Sequence, residues 1–315
     1  MIATVTANPC LDKTVTVPQF DLYRMNRVRV LCTDPSGKGI NVSKTLAAMG
    51  ADTLCVGFDY TDGTPSLLKA DLDVWGIPHA LVPVTGALRV CTKIIDESRK
   101  HTIEVNEQGT PVTREDGARL LQKITETAGR CEFLTLSGSL PKGLDTDFYA
   151  VCAREIRAIA PTCRVVLDAE GQQLLAAMRE GAYLIKPNIH EFAATFGTHP
   201  KTAYDLDKVV QEVLTQYPIE VVCVSLGADG AYIGTRQEAH FCPPLAVEAR
   251  SLQGAGDAMV AGLCMALEQG LPLQEVLCYG VCLASATIMT EGTRPGSRAN
   301  FEKLLLQAPA PERVR

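Results

Sequence analysis

The sequence predicts an α/β protein, with a largely parallel central sheet carrying helices on both faces and a small β-sheet lid at one edge. Short strand-type runs at Ile2–Thr6, 53–56, 133–136, 164–167, 183–185 and 221–224 are separated by stretches long enough for crossover helices. Two pairs of more polar strand-like pieces, within 12–33 and 88–106, are too close together for a crossover and read as the lid. A chain of 315 residues, 46% of them apolar, buries a substantial core, and residues 1–315 are taken as one domain.

Ile2–Thr6 alternates and is β-branched, a first strand ending in Asn8-Pro9-Cys10-Leu11-Asp12. Asn8 and Asp12 are thereby expected just past its C-terminal end, the edge where open α/β sheets bind ligands. Pieces 14–17 and 27–32 form an antiparallel flap. Gly37-Lys38-Gly39 then opens a helix whose Ile40, Leu46 and Ala47 keep a helical period as far as Gly50. Gly37 and Gly39 allow close approach of a substrate to the backbone, and Lys38 offers a point charge suited to phosphate. The x-G-K-[ST] ending of a Walker A loop is missing.

Strand 53–56 leads to a helix around 66–75, with Trp75 expected in the core, and strand 80–84 follows. Pieces 89–95 and 102–106 form a second hairpin, whose Arg89 either reaches a bound anion or lies solvated. An amphipathic helix spans 113–128 and includes Gln122. Strand 133–136 runs into Ser137-Gly138-Ser139, 164–167 ends in Asp168, and 183–185 ends in Lys186-Pro187-Asn188. Asn188 and Glu191 share a helical face, which suits water-mediated Mg²⁺ contact and equally an N-cap with a capping-box glutamate. Strand 221–224 ends in Ser225-Leu226-Gly227, 232–234 and 239–242 form a β-meander, and 254–269, 273–289 and 299–307 are helical.

A net charge of −6 without dense Lys or Arg runs argues against nucleic-acid binding, so an anionic substrate needs locally placed cations. The 12 cysteines include no C-x-x-C, and most sit in apolar runs as buried thiols. Cys278 and Cys282 share a helical face without a histidine to complete a metal site. No secretory leader is recognisable, and no run nears the ~18 apolar residues of a membrane span. A soluble, cytoplasmic protein is expected.

Gly254-Ala255-Gly256-Asp257 is a small-residue turn running into an apolar helix. Free amides and the positive end of the helix dipole make an anion site there. A carboxylate beside it makes sense as a proton acceptor next to stabilised negative charge. On its own, the tetrapeptide fits an ordinary helix start equally well.

Together these motifs closely resemble the ribokinase-like sugar kinases of the pfkB family, and within it the 1-phosphofructokinase and tagatose-6-phosphate kinase branch. The resemblance runs nearly end to end and rests on Gly37-Lys38-Gly39-Ile40-Asn41-Val42, Leu136-Ser137-Gly138-Ser139, Lys186-Pro187-Asn188-Ile189-His190-Glu191, Ser225-Leu226-Gly227 and Gly254-Ala255-Gly256-Asp257. It implies Asp257 as catalytic base toward ATP, with the amides of Gly254, Ala255 and Gly256 as anion hole. It implies Asp12 and Asn41 on sugar hydroxyls, Lys38 and Arg89 on the substrate's own phosphate, and Ser137 at the substrate. Lys186, Asn188, Ser225 and Gly227 match nucleotide contacts, with Asn188 and Glu191 linked to Mg²⁺ through water. The family's lid closes over the sugar and often pairs with a second lid in a homodimer.

Several positions depart from the family pattern: Ser36 for a glycine, Asp59-Tyr60 for Gly-Gly, Cys91 for an asparagine, and Leu252-Gln253 before the anion hole. The expected reaction is phosphorylation of a ketohexose phosphate, fructose 1-phosphate first and the tagatose-6-phosphate reaction as alternative. The departures also admit a non-catalytic sugar-phosphate-binding paralogue, against which stands the intact Asp257. A Rossmann dehydrogenase is set aside, because no G-x-G-x-x-G follows the first strand.

Overall fold

The computed structural model describes residues 1–315. It opens with β1 (Ile2–Thr6), β2 (Cys10–Val17), β3 (Arg29–Ser36), α1 (Lys38–Ala48), β4 (Thr53–Thr61), α2 (Leu67–Val74) and β5 (His79–Thr85). Next come β6 (Arg89–Asp96), β7 (His101–Asn106), α3 (Arg114–Ala128), β8 (Phe133–Ser137), α4 (Phe148–Ile159), β9 (Arg164–Asp168) and α5 (Gly171–Glu180). After β10 (Ala182–Ile185), α6 (Ile189–Phe196), α7 (Ala203–Gln216) and β11 (Ile219–Ser225) come β12 (Ala231–Gly234) and β13 (Ala239–Cys242). Helices α8 (Ala255–Glu268), α9 (Leu273–Ile288) and α10 (Arg298–Gln307) and the short β14 (Glu312–Arg313) close the chain.

Ten strands make one sheet in the order β14-β13-β12-β11-β10-β9-β8-β1-β4-β5. Every pair from β5 to β11 is parallel, and β12 to β14 continue it antiparallel. Strand order reverses at β1, with β4 and β5 to one side and β8 to β11 to the other. The crevice beyond the C-terminal ends of β1 and β8 is therefore the topological switch point.

Successive strand residues feed opposite cores, as the pleat requires. Ala3, Val5, Leu134, Leu136, Val165 and Leu167 pack with Leu120 and Ile124 of α3 and Tyr149 and Ile156 of α4. Their neighbours Ile2, Phe133, Val166 and Leu184 face α1, α8 and α9 through Val42, Leu46, Leu263 and Leu283. Each fully buried large apolar side chain contributes about 1.5–3 kcal/mol. Helix starts are fixed locally: Thr113 and Asp116 cap α3 reciprocally, and Ser66, Thr202 and Ser297 accept from the first-turn amides of α2, α7 and α10. No helix is long and apolar enough to cross a membrane.

The expected small separate sheet is present, and several details are revised. The flap and the hairpin are one sheet in the order β3-β2-β6-β7, joined by a parallel β2–β6 ladder over residues 10–17 and 89–96. Asp12, past the C-terminal end of β1 as expected, lies in β2. β3 runs on to Ser36, because Cys10 pairs with Ser36. Trp75 ends α2 with 36% of its surface exposed, while Leu68 and Leu72 of that helix supply its buried face. Helices α4, α5 and α7 occupy the crossovers that strand alternation demanded.

Gly39 shows how closely α1 sits on the sheet: a Cβ there would lie 2.5 Å from the Val5 carbonyl oxygen. Gly39→Ala is expected to lower stability by about 1–3 kcal/mol through this overpacking, measured as the shift in denaturant midpoint.

Candidate active site

A cavity of about 530 Å³ opens at the switch point, between the four-stranded sheet and the C-terminal ends of the parallel strands. The roof is one face of the small sheet. Cys10 and Asp12 of β2, Arg89, Cys91 and Lys93 of β6, and Glu104 and Asn106 of β7 line it. They alternate by two along each strand, and the register sets Cys10 beside Arg89, Asp12 beside Cys91, and Cys91 beside Asn106. Asp12 Oδ1 lies 3.8 Å from Lys93 Nζ. Arg89 is anchored rather than free, its Nη2 donating to the Asn8 carbonyl at 3.0 Å.

The floor is built by strand ends. Asp168 closes β9, Lys186 follows β10, Ser225 closes β11, and Lys38 opens α1; all line the cavity. Asp168 is buried, and its Oδ1 lies 3.3 Å from Lys186 Nζ and 3.4 Å from Lys38 Nζ. Lys38 Nζ is also 3.7 Å from Glu191 Oε1. Burial favours a neutral Asp168, but Lys186 and Lys38 outweigh it and hold the carboxyl below the usual range. Burial likewise works against a charged Lys38, yet Asp168, Glu191 and Asp257 together raise it above an ordinary lysine.

Asp257 stands in the first turn of α8. Gly254 precedes that helix in the left-handed conformation (φ 74°), and no side chain caps it. The first amides are thus without intrahelical partners. Lys186 Nζ adjoins this turn, only 3.4 Å from where a Cβ of Gly256 would lie. Burial, then the neighbouring Asp168, push the Asp257 carboxyl up to about 6, while Lys38, the Asn41 hydrogen bond and Lys186 restrain the rise. Asn41 Nδ2 donates to Asp257 Oδ2 at 2.8 Å, and Ser36 Oγ donates to Asn41 Oδ1 at 3.1 Å. The unusual serine at 36 therefore fixes which way the Asn41 amide points.

Asn188 and Glu191 adopt the capping-box arrangement. Asn188 Oδ1 accepts from the His190 and Glu191 amides, and Glu191 Oε2 accepts from the Asn188 amide. Glu191 Oε1 stays on the cavity side, toward Lys38. Asp168 Oδ2 is buried without a partner. These two oxygens are hard donors suited to Mg²⁺, yet with Asp257 they do not gather into a three-ligand cluster. Lys38 and Lys186 stand between them, so a cation here would rely on waters and on phosphate oxygens.

Four expected residues do not line the cavity. Gly39 is needed for packing against β1, and the Ser137 hydroxyl is fully buried, donating to Thr135 Oγ1 at 3.2 Å. Ala255 contributes only backbone in the α8 turn, and Gly227 lies in the turn two residues beyond Ser225. Conversely, Asp168, Lys93 and Cys10 join the site without having been singled out. Asp168 followed from the strand-end rule already applied to Asn8; Lys93 and Cys10 required the small-sheet register.

The profile described as pfkB family carbohydrate kinase matches residues 5–300. The chain belongs to the pfkB family of carbohydrate kinases. It is similar to a 1-phosphofructokinase of Rhodobacter capsulatus, 34% identical over 87% of this chain and 86% of that one. An ATP-dependent 6-phosphofructokinase isozyme 2 of Mycobacterium tuberculosis is 29% identical over 99% of this chain and 91% of that one. Among solved structures, phosphofructokinase-2 from Escherichia coli with substrates and products superposes with a TM-score of 0.90 at 26% identity, over 98% of this chain and 99% of that one. A tetrameric inhibited form of that enzyme is also described. Membership makes the chain a phosphotransferase acting on a sugar hydroxyl, with ATP as donor substrate.

The Asp257 shift carries a consequence for stability. The folded protein holds this proton more tightly than the unfolded chain, so the contribution is complete below about pH 4 and is lost as pH rises through about 6. Asp257→Asn is therefore expected to raise the Tm relative to the parent at pH 8 more than at pH 4, on the order of 2 °C for each kcal/mol relieved, as read by calorimetry.

Proposed function

We propose that this enzyme phosphorylates a ketohexose that already carries a phosphate, with fructose 1-phosphate to fructose 1,6-bisphosphate as its main reaction. The observation that carries this is the separation of cations into two pairs. Lys38 and Lys186 flank Asp168 on the floor, beside Asp257, while Arg89 and Lys93 sit on the roof. One pair suits the phosphoryl group in transit and the other a phosphate resident on the substrate. Lys38, expected at the resident phosphate, is better placed for the transferring group, because Asp168 and Glu191 hold it on the floor.

In this reading Asp12 and Asn41 receive sugar hydroxyls. The acceptor hydroxyl attacks the γ-phosphorus of ATP, the new O–P bond forms as the bond to ADP breaks, and Asp257 takes the hydroxyl proton. The amides of Gly254, Ala255 and Gly256, with Lys38 and Lys186, stabilise the charge on the transferring oxygens. Asn41 keeps one Asp257 oxygen engaged and leaves the other for the substrate. Lys186, Asn188, Ser225 and Gly227 belong to the nucleotide side. Mg²⁺ supplies charge neutralisation on the ATP phosphates, with Glu191 and Asp168 the residues that would hold it, largely through water.

Fructofuranose presents exocyclic carbons at both ends, so 1- and 6-phosphates each offer a free hydroxyl opposite the phosphate and give the same bisphosphate. The names of the relatives divide along this line, and the 34% identical one favours the 1-phosphate. A coupled ADP-release assay over fructose 1-phosphate, fructose 6-phosphate, tagatose 6-phosphate and fructose decides. The highest kcat/KM is expected with fructose 1-phosphate; faster turnover of free fructose would sink the role given to Arg89 and Lys93.

The small sheet spanning 10–36 and 89–106 acts as the lid of a single domain in a cytoplasmic enzyme, and pairs with a second copy. Supporting that pairing, Leu22, Tyr23, Met25, Val30 and Leu31 are exposed around the turn into β3 and along that edge strand.

Asp257→Asn should lower kcat by roughly 10²–10⁴-fold, the range for loss of a general base, with sugar-phosphate affinity retained in calorimetric titration. In the parent enzyme the ionised base is required, so kcat/KM should fall as pH drops through about 6; a flat profile from pH 5 to pH 8 would contradict the assignment.

A further inference from the structure

Among groups of His, Cys, Asp and Glu in this chain, one brings three ligand atoms within 4.8 Å of one another: Cys10, Asp12 and Cys91. All three are buried and line the roof of the cavity. They share one face because Cys10 and Asp12 are two apart on β2, and Cys91 stands opposite Asp12 on β6. Cys10 Sγ is 3.7 Å from Asp12 Oδ1. A tetrahedral zinc-class ion, with bonds near 2.3 Å to sulfur and 2.0–2.2 Å to oxygen, sets its donors about 3.5–3.8 Å apart. The Cys10–Asp12 pair already has that spacing, and the Cys91 thiol lies within 4.8 Å of both.

We propose that Cys10, Asp12 and Cys91 bind one thiophilic divalent cation of the zinc class, and that its occupancy excludes the sugar from Asp12. Two thiolates and a carboxylate carry three negative charges against two on the ion. The residual charge meets Lys93, whose Nζ is 3.8 Å from Asp12 Oδ1. All three residues line the cavity, so water there could complete the ion's coordination. Two sulfurs match a soft ion and not the all-oxygen octahedron of Mg²⁺, so this site is chemically separate from the cation that accompanies ATP.

A disulfide is the competing chemistry, and the register disfavours it. Cys10 lies opposite Arg89 while Cys91 lies opposite Asp12, a diagonal offset of two residues. With strands about 4.8 Å apart and a rise of about 3.3 Å per residue, the Cα atoms are roughly 8 Å apart, beyond the ~7 Å that a disulfide spans. A metal bridges that gap with the backbone in place.

Metal binding stands without the kinase reading, whereas competition with sugar rests on it. The test is titration of the reduced, intact protein with Co²⁺, followed by thiolate-to-cobalt charge-transfer absorption, in the parent, Cys10→Ser and Cys91→Asn. One equivalent is expected to give the band in the parent. Each substitution should weaken binding at least ~10-fold, since loss of even an outer partner costs that much. Saturating fructose 1-phosphate should raise the apparent Kd for Co²⁺ by a similar factor, and Zn²⁺ should displace the cobalt. No band in the parent overturns the site. A band retained in both variants also overturns it, placing the metal at Cys131 and Cys163 or at Cys278 and Cys282, whose thiols lie 3.6 and 4.0 Å apart. A cysteine-dependent band insensitive to every sugar phosphate of the substrate panel would overturn the exclusion of sugar while leaving the metal site standing.

Discussion

The site depends on a set of buried charges that must compensate one another before any substrate arrives. Asp168, fully enclosed at the end of β9, is held ionised by Lys186 and Lys38, and the same lysines keep Asp257 from rising further. An unpaired ion at such depth costs several kcal/mol after relaxation. The parallel strand ends make the arrangement affordable in geometric terms, since each delivers one polar group to a shared crevice while its apolar residues stay in the two cores. In the proposed reaction, phosphate oxygens would meet lysines already oriented and amides already exposed, with little reorganisation left for the chemical step.

Asp257 illustrates how that environment tunes chemistry. Near a like charge and away from water, its carboxyl is less acidic than in solution, which moves its proton affinity toward the working range of a base. Ser36 and Asn41 add direction: the serine hydroxyl orients the amide, and the amide holds one carboxylate oxygen. The departure at position 36 thus supports the Asn41–Asp257 contact instead of disrupting it. Leu252 and Gln253 are different. Leu252 is largely exposed at the cavity mouth, the Gln253 amide oxygen is buried without a partner, and nothing in the structure explains either choice.

The small sheet contributes through period two. Its inner face alternates cations, carboxylates and thiols toward the cavity, and its outer edge carries exposed apolar side chains. One face therefore turns its charged groups to the cavity, while the edge carries exposed apolar side chains. Because side chains alternate along each strand, a slip of β6 by one residue against β2 would turn Arg89, Cys91 and Lys93 off the cavity face while Asp12 stayed on it. Register thus decides which side chains line the cavity roof.

The sequence by itself determined the strand and helix alternation, the two-sided core, the glycine turn before α8 and the motifs of a sugar kinase, because these are local signals written in periodicity and in residues that permit special backbone conformations. It also singled out Asp257, Asn41, Lys38, Arg89 and Glu191, which line one cavity. Only the tertiary structure gave the strand order of the small sheet and its parallel β2–β6 ladder, put Asp12 on a strand, left Trp75 at the surface, and turned the Ser137 hydroxyl inward. It also put Lys38 with Asp168, and gathered Cys10, Asp12 and Cys91. The β2–β6 ladder and the Lys38–Asp168 contact depend on pairing between segments some eighty to one hundred and thirty residues apart. Neither hydrophobic periodicity nor turn chemistry reports such distances; closure of the sheet and burial of its charges do.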